Sequence, residues 1–163
     1  APVLAGDAGP AERVAKANRN YAMEYVRPGR PLLIELFGPG GGGHLGRHTG
    51  RLIGVQGYRA VAEGLGLPPG ADGAIGFARL LQAMTAAEGD AAQAEGDEIE
   101  AHVTRQGWRL GRGMPSPHPA VFEAWCGLIE GMLAAHDRRL SVEILARPEY
   151  GDDGVHWRIR EVA

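Results

Sequence analysis

Apolar residues change their spacing near residue 97, and this change constrains the fold more than any other feature. Before residue 97 they recur at intervals of three and four, which predicts helices; after it several segments alternate apolar and polar residues, which predicts strands. The order predicts an α+β fold, with a helical N-terminal half followed by a small antiparallel sheet and one packed helix (β-α-β-β). No linker interrupts residues 11–163, so we expect a single domain after a flexible tail at residues 1–10.

The spacing of the apolar residues predicts the helices and strands, and Gly and Pro residues mark where they end. Helices are predicted at 11–26, 45–67, 74–89 and 120–136, and strands at 97–105, 140–147 and 154–162. The short apolar run Pro31–Phe37 is interpreted as a buried strand, with a one-turn helix as the alternative. In the helix at 45–67, the inward stripe is expected to contain Leu45, Leu52, either Val55 or Tyr58, Ala62 and Leu65.

Composition excludes several classes of protein. A net charge of −3 over 163 residues gives no general attraction to nucleic acid or to an anionic membrane. Cys126 is the single cysteine, so neither an internal disulfide nor a Cys-rich zinc site is expected. The chain shows neither a secretion signal nor an apolar run long enough to span a membrane, and we expect a cytoplasmic protein.

A glycine-dense stretch at residues 38–43 satisfies the pattern G-x-G-x-x-G. A dinucleotide site also needs repeated strand–helix–strand units and an acid at a strand end, whereas Glu63, at about the right distance, is predicted on a helix. The stretch is then either a surface loop or the start of a helix that binds an anion through backbone N–H groups. In the second case, Gly42 and Gly43 would bind a carboxylate together with Arg47 and Arg51.

The predicted helix at 45–67 contains further glycines in its interior. Gly50, Gly54 and Gly57 recur at near-helical spacing, where each would weaken an exposed helix by about 1 kcal/mol. We therefore expect them to allow another backbone or a ligand to approach closely.

Two histidines, His44 and His48, lie four residues apart, a spacing that places two residues on the same face if both belong to a helix. This spacing occurs in metal-binding pairs, but a third ligand would have to come from elsewhere in the chain. The alternatives are two half-exposed histidines, or a metal-free role for His48 in proton transfer.

Polar residues occupy one face of each predicted strand, including Glu100 and His102 on one, Glu143 on another, and His156 and Arg158 on the last. If that face is solvated, these groups form weak cross-strand ion pairs. If a helix or a second subunit covers it, burial could tune His102 for proton transfer, with Glu100 orienting the ring. Tyr58 and Trp157 are either core residues or the walls of an aromatic pocket.

The segments GDEIEAHVTRQGW, FEAWCGLIEGMLAAH, RLSVEILAR and GDDGVHWRIR, in this order, resemble a known group of proteins over roughly residues 45–160. The group includes 4-vinyl-reductase-like domains and L-2-amino-thiazoline-4-carboxylate hydrolase-like proteins. In length and in Gly, Ala and Arg content the chain also resembles the hydroxylaminobenzoate lyases. These resemblances imply cofactor-independent C–N bond cleavage in a small carboxylated substrate, or binding or sensing of a small apolar ligand.

The expected function is therefore a cofactor-independent hydrolase or lyase that cleaves a C–N bond in a carboxylated cyclic or aromatic nitrogen compound. Its expected catalytic residues are His48, His102 and Glu100. The expected substrate-binding residues are Arg47, Arg51, Tyr58, Trp157, Gly42 and Gly43, and the metal alternative is His44 with His48. Because a covered sheet in so short a chain needs a second subunit, a homodimer or larger assembly is expected. The alternative function is a sensor or binding domain without catalysis.

Overall fold

The structure is a computed structural model that describes residues 10–106, 119–147 and 154–162. The described residues form three helices and four strands: α1 (Pro10–Gly64), α2 (Gly73–Ala87), β1 (Ala91–Gly96), β2 (Glu100–Gln106), α3 (Pro119–His136), β3 (Leu140–Ala146) and β4 (Gly154–Glu161). The predicted α+β class, with a helical N-terminal half and an antiparallel sheet, is confirmed. Most of the predicted tail, residues 1–9, lies outside the described residues.

Helix α1 consists of two arms, residues 10–37 and 39–64, that meet at a sharp corner. Gly38 makes the corner with φ 75° and ψ 166°, a left-handed conformation that favours glycine. The bend brings the backbone of Gly42 so close to that of Ile34 that a Cβ on Gly42 would lie 2.8 Å from its Cα. The predicted strand Pro31–Phe37 is wrong, because this apolar run forms the last turns of the first arm. The predicted glycine loop is likewise the corner and the first turn of the second arm.

The four strands form one antiparallel sheet in the order β1-β2-β4-β3. Val103 of β2 lies opposite Trp157 of β4, which in turn lies opposite Ile144 of β3. Strand β1, with the sequence AAQAEG, was not predicted because alanine and glycine carry little strand preference. β1 joins the sheet through its backbone pairing with β2, in which Ala94 lies opposite Val103.

The sheet is covered on one side, which we call the inner face. Helices α2 and α3 pack on this face, and the second arm of α1 packs on α3. The core between these layers contains Phe77, Phe122, Ile129 and Met132 from the helices and Trp157 from the sheet, all nearly inaccessible to solvent. The opposite, outer face carries the polar residues of the alternating pattern, with His102, Glu100 and Glu143 half-buried or exposed.

Helices α1 and α3 cross with their backbones in contact. A methyl group at Gly50 would overlap the carbonyl oxygen of Ala124, and one at Gly54 would overlap that of Leu128. The contact is reciprocal, because a methyl group at Gly127 or Gly131 of α3 would overlap the carbonyl oxygens of Arg47 and Arg51, respectively. The close approach expected at Gly50 and Gly54 is thus made by another helix, whereas Gly57 has no neighbour within 4 Å of the added carbon.

The inward stripe of α1 runs through Gly46, Gly50, Gly54, Tyr58 and Ala62, all of them buried. Tyr58 and Ala62 were expected there, but the inward placement of Leu45 and Leu52 is wrong, because the glycines occupy the face toward α3. The large apolar side chains left exposed on the second arm of α1 are Leu45, Leu52, Ile53 and Val55. In the described part of the chain, no helix combines the length and apolarity needed to cross a membrane.

Replacing Gly50 by Ala should destabilise the protein by about 1–3 kcal/mol, since the new methyl group meets a fixed backbone carbonyl. The matched control is Gly57→Ala, on the same helix and with open space around it, which should stabilise by about 0.5–1 kcal/mol through helix propensity. Urea unfolding followed by circular dichroism measures both changes. Equal effects of the two substitutions would contradict the backbone contact.

Candidate functional site: a groove between α1, α3 and β3

A groove runs along the side of the domain where the second arm of α1, helix α3 and strand β3 meet. It consists of two cavities of about 900 Å³ and about 220 Å³, which adjoin because Glu130 and Val142 line both. The larger cavity is lined by Arg51, Val55, Glu130, Leu133, Ala134, Ala135, Arg138, Leu140, Ser141 and Val142. The smaller one is lined by Arg47, Cys126, Glu130, Val142, Ile144, Arg147 and Trp157.

Three residues of the hydrophobic core form part of the groove wall. Trp157, Cys126 and Leu133 are 2%, 1% and 3% exposed, and each reaches a cavity wall from the core. Val142 and Ile144 reach it because alternate residues of β3 point to the inner face of the sheet. Apolar walls with a few charged groups are typical of small-molecule sites.

Arg47 is held in an ion-pair network with α3. Its guanidinium contacts Glu130, and its Nη1 donates to Glu123 Oε2 at 2.8 Å. Arg147 donates to the other oxygen of Glu123 at 2.7 Å and lies over the ring of Phe122. The hydrogen bond to Glu130 raises the pKa of Arg47 most, and the charges of Glu130 and Glu123 add to it. Burial favours a higher pKa for Glu123, but Arg147 and Arg47 together hold that pKa below its ordinary value.

Two other cations line the larger cavity, Arg51 from α1 and Arg138 from the turn before β3. Both are exposed, and neither makes an ion pair or a side-chain hydrogen bond with any residue that the structure describes. Glu130, which lines the same cavity, is already bound by Arg47. Arg51 and Arg138 are therefore available for an anion, whereas both ends of the Arg47 guanidinium are occupied.

Tyr58 takes part in a buried chain of hydrogen bonds rather than in the groove. Gly70 N–H donates to the Tyr58 oxygen at 2.6 Å, and that hydroxyl lies 2.6 Å from His136 Nδ1. His136 Nε2 lies 3.0 Å from the carbonyl oxygen of Gly73, which can only accept. The ring is therefore protonated on Nε2, and the Tyr58 hydroxyl donates to Nδ1. Burial lowers the pKa of His136, against the smaller opposing effects of Gly73 and nearby carboxylates.

The predicted catalytic residues lie on different surfaces. His48 and His44 are exposed on the second arm of α1, which is stacked on α3. His102 lies on the outer face of the sheet, with its Nε2 3.3 Å from Glu100 Oε1. The α2 and α3 layer and the sheet separate His102 from His48, so the structure does not bring these two rings into one cavity. Glu100 has the position expected for a residue that orients His102.

The remaining predicted ligand-binding residues have mixed placements. Trp157 lines the smaller cavity together with Arg47, and Arg51 lines the larger one. Gly42 is covered by the first arm of α1, so the close approach that its missing side chain permits is made by the chain itself. Gly43 has no neighbour within 4 Å of an added Cβ, and it lines neither cavity of the groove.

Sequence reasoning missed three cations with defined surroundings. Arg138 and Arg147 flank β3 in the chain, and this position beside the ends of a predicted strand was the one feature of the sequence that could have pointed to them. Arg105 is 2% exposed on the inner face, where its Nη2 donates to Glu88 at 2.5 Å and to Asp90 at 2.7 Å. The alternation of β2 places Arg105 beside Ala101 and Val103, and this pattern could have revealed its burial.

Comparison with known proteins identifies the fold. The sequence matches no established protein family and no curated protein. Among solved structures, the chain is similar to a trafficking protein particle complex subunit 3 from Naegleria fowleri covalently bound to palmitic acid, with a TM-score of 0.62 and 17% identity over 91% of this chain and 97% of that one.

A second similar structure is the phenol-responsive sensory domain of the transcription activator PoxR with phenol. Its TM-score is 0.61 and its identity 12%, over 85% of this chain and 74% of that chain. At these identities the likeness shows a shared fold. Neither description names a vinyl-reductase-like protein, a hydrolase or a lyase, so the resemblances stated for the sequence stay expectations.

The free energy of unfolding should fall as pH decreases below 6.5, the ordinary pKa of histidine. In this range His136 binds a proton in the unfolded chain but stays neutral in the folded protein, where its pKa is lower. This contribution is complete above 6.5 and is lost as pH falls toward the lowered pKa of the folded state. Urea unfolding midpoints across this range measure it. The pH dependence should weaken in His136→Gln and persist in His48→Ala, an exposed control. An unchanged slope in His136→Gln would contradict the assignment.

Proposed function

We propose that this domain binds a small apolar molecule with an anionic end in the groove between α1, α3 and β3, and that it acts as a binding or sensory domain. The observation that carries the proposal is the combination, at the larger cavity, of the nearly inaccessible Leu133 and Leu140 with two cations, Arg51 and Arg138, that have no ion-pair partner among the described residues. A carboxylate is the simplest anion that fits, because guanidinium groups bind carboxylates through paired hydrogen bonds.

The dimensions of the groove support a ligand of this kind. The larger cavity has a volume of about 900 Å³, and small-molecule sites commonly span about 300–1,000 Å³. Leu133, Val142 and Leu140 would contact the apolar part of the ligand, and Arg51 and Arg138 its charged end.

The two similar structures support the apolar part of the proposal. One of them holds palmitic acid, which joins a long hydrocarbon chain to a carboxyl group, and the other holds phenol, a small aromatic ring. The same fold thus accommodates apolar ligands of different length. The sensory role of the second structure agrees with the alternative function expected from the sequence.

Cleavage of a C–N bond stays a prediction. Among the described residues that line the groove there is no histidine, and Cys126 is the one cysteine of the chain. The binding proposal and the enzyme prediction share Arg51 as the carboxylate anchor, and they differ in turnover. Release of ammonia or a new product from a hydroxylaminobenzoate or a thiazoline carboxylate would favour the enzyme. A homodimer and a cytoplasmic location also stay predictions.

Calorimetric titration with benzoate and with phenol tests the proposal, since the two ligands share a ring and differ in charge. Benzoate should bind at least tenfold more tightly. Arg51→Ala and Arg138→Ala should each weaken benzoate binding about tenfold, as expected for a charge-assisted hydrogen bond of roughly 1.5 kcal/mol. Phenol binding should change little in either variant.

The matched control is Arg59→Ala, because Arg59 is an exposed arginine on the same helix and pairs with Glu63 outside the groove. Its benzoate affinity should equal that of the unmodified protein. Equal affinities for benzoate and phenol, together with no effect of Arg51→Ala, would contradict an anion-selective groove.

A further inference from the structure

On the outer face of the sheet, two imidazole rings point nitrogen atoms at each other. His102 Nδ1 of β2 lies 3.0 Å from His156 Nε2 of β4, and the ring centroids are 5.2 Å apart. The two residues are diagonal neighbours, because Arg158 is the partner of His102 in the register and Thr104 is the partner of His156. This pair lies on the face of the sheet opposite the groove and does not depend on the proposed ligand.

Glu100 fixes which nitrogen of His102 carries the proton. A carboxylate accepts hydrogen bonds, so His102 Nε2–H donates to Glu100 Oε1 at 3.3 Å. Neutral His102 then has a lone pair on Nδ1, directed at His156 Nε2. A carboxylate that holds the far nitrogen of a histidine in this way is the usual second partner of a metal-binding imidazole.

The distance between the two nitrogens suits a shared metal ion. Zn²⁺ binds imidazole nitrogen at about 2.0–2.1 Å, so two tetrahedral ligands are about 3.3 Å apart. The two nitrogens are 3.0 Å apart in the structure, so they must move apart by a few tenths of an ångström to bind one ion. Small rotations of the two side chains provide this movement. The His102 side chain is 29% exposed, so an ion can reach the pair from solvent.

The charges around the pair do not oppose a cation. Glu95 of β1 lies opposite His102, and Glu100 contacts it. Among the described residues of β2 and β4, the cations on this face are Arg158, which lies opposite His102 and is bound by Glu143 of β3, and Arg160, which lies opposite Glu100. Within the described ranges, no three His, Cys, Asp or Glu side chains converge on one point, so a bound metal would keep open positions for water or another ligand.

We propose that His102 and His156 form an open two-imidazole site for a divalent transition metal, and Zn²⁺ is the probe that tests it. The metal takes the position of the proton that lies between the two nitrogens. In the neutral pair this proton moves from Nε2 to Nδ1 of His156, so both rings bind the metal as neutral imidazoles, and a proton is released only where one ring starts as an imidazolium. Glu100 is a positioning residue, since it acts on the metal through His102.

Calorimetric titration of the metal-free protein with ZnCl₂ tests this site. One Zn²⁺ should bind per chain, and the affinity should fall when pH is lowered from about 7.5 to about 5.5, because protons compete for the imidazoles. His102→Ala and His156→Ala should each reduce affinity at least tenfold. Glu100→Gln should reduce it about tenfold, as loss of a second partner does. Circular dichroism verifies that the variants fold.

The matched control is the double variant His44→Ala/His48→Ala, which removes the other histidine pair from exposed positions on α1. Its Zn²⁺ affinity should be unchanged. Absence of Zn²⁺ binding, unchanged binding in folded His102→Ala, or loss of binding in the double variant would each overturn the proposal.

Discussion

The backbone contact between α1 and α3 determines the geometry of most of the domain. Gly50 and Gly54 on one helix, and Gly127 and Gly131 on the other, bring the two helices closer than any side chain would allow. The carbonyl groups of Arg47 and Arg51 lie against α3 at these points. Their side chains therefore emerge beside α3, where Arg47 can reach two glutamates and Arg51 can line a cavity.

The two faces of the sheet have different chemistry for the same structural reason. Alternation along β2 and β4 places Val103 and Trp157 under the helices, and His102 and His156 on the uncovered side. The inner face supplies the apolar wall of the groove, and the outer face carries the histidine pair. A ligand in the groove and a metal on the outer face would therefore occupy separate sites on opposite sides of one sheet.

Most polar groups near the groove and in the core already have a hydrogen-bond or ion-pair partner in the protein, and these groups stabilise the fold. A group without such a partner is available to a ligand. Arg47 is bound to Glu123 and Glu130, and Arg105 is buried with Glu88 and Asp90. Tyr58 and His136 satisfy each other inside the core. Arg51, by contrast, has no such partner in the described part of the chain. The sequence shows where the arginines are, but it does not show which carboxylates they pair with, because a partner can lie as far as 83 positions away, as Glu130 does from Arg47.

The sequence by itself determined the α+β class, the helices α2 and α3, and the alternation that separates the two faces of the sheet, because these depend on local periods of two and 3.6 residues. It left Pro31–Phe37 ambiguous, since a short apolar run fits a helix or a strand, and it gave no sign of the alanine-rich β1. Only the tertiary structure decided which glycines contact a helix, which arginines lack a partner among residues 10–106, 119–147 and 154–162, and that His102 meets His156 rather than His48. These are contacts between distant segments, and packing alone brings them together.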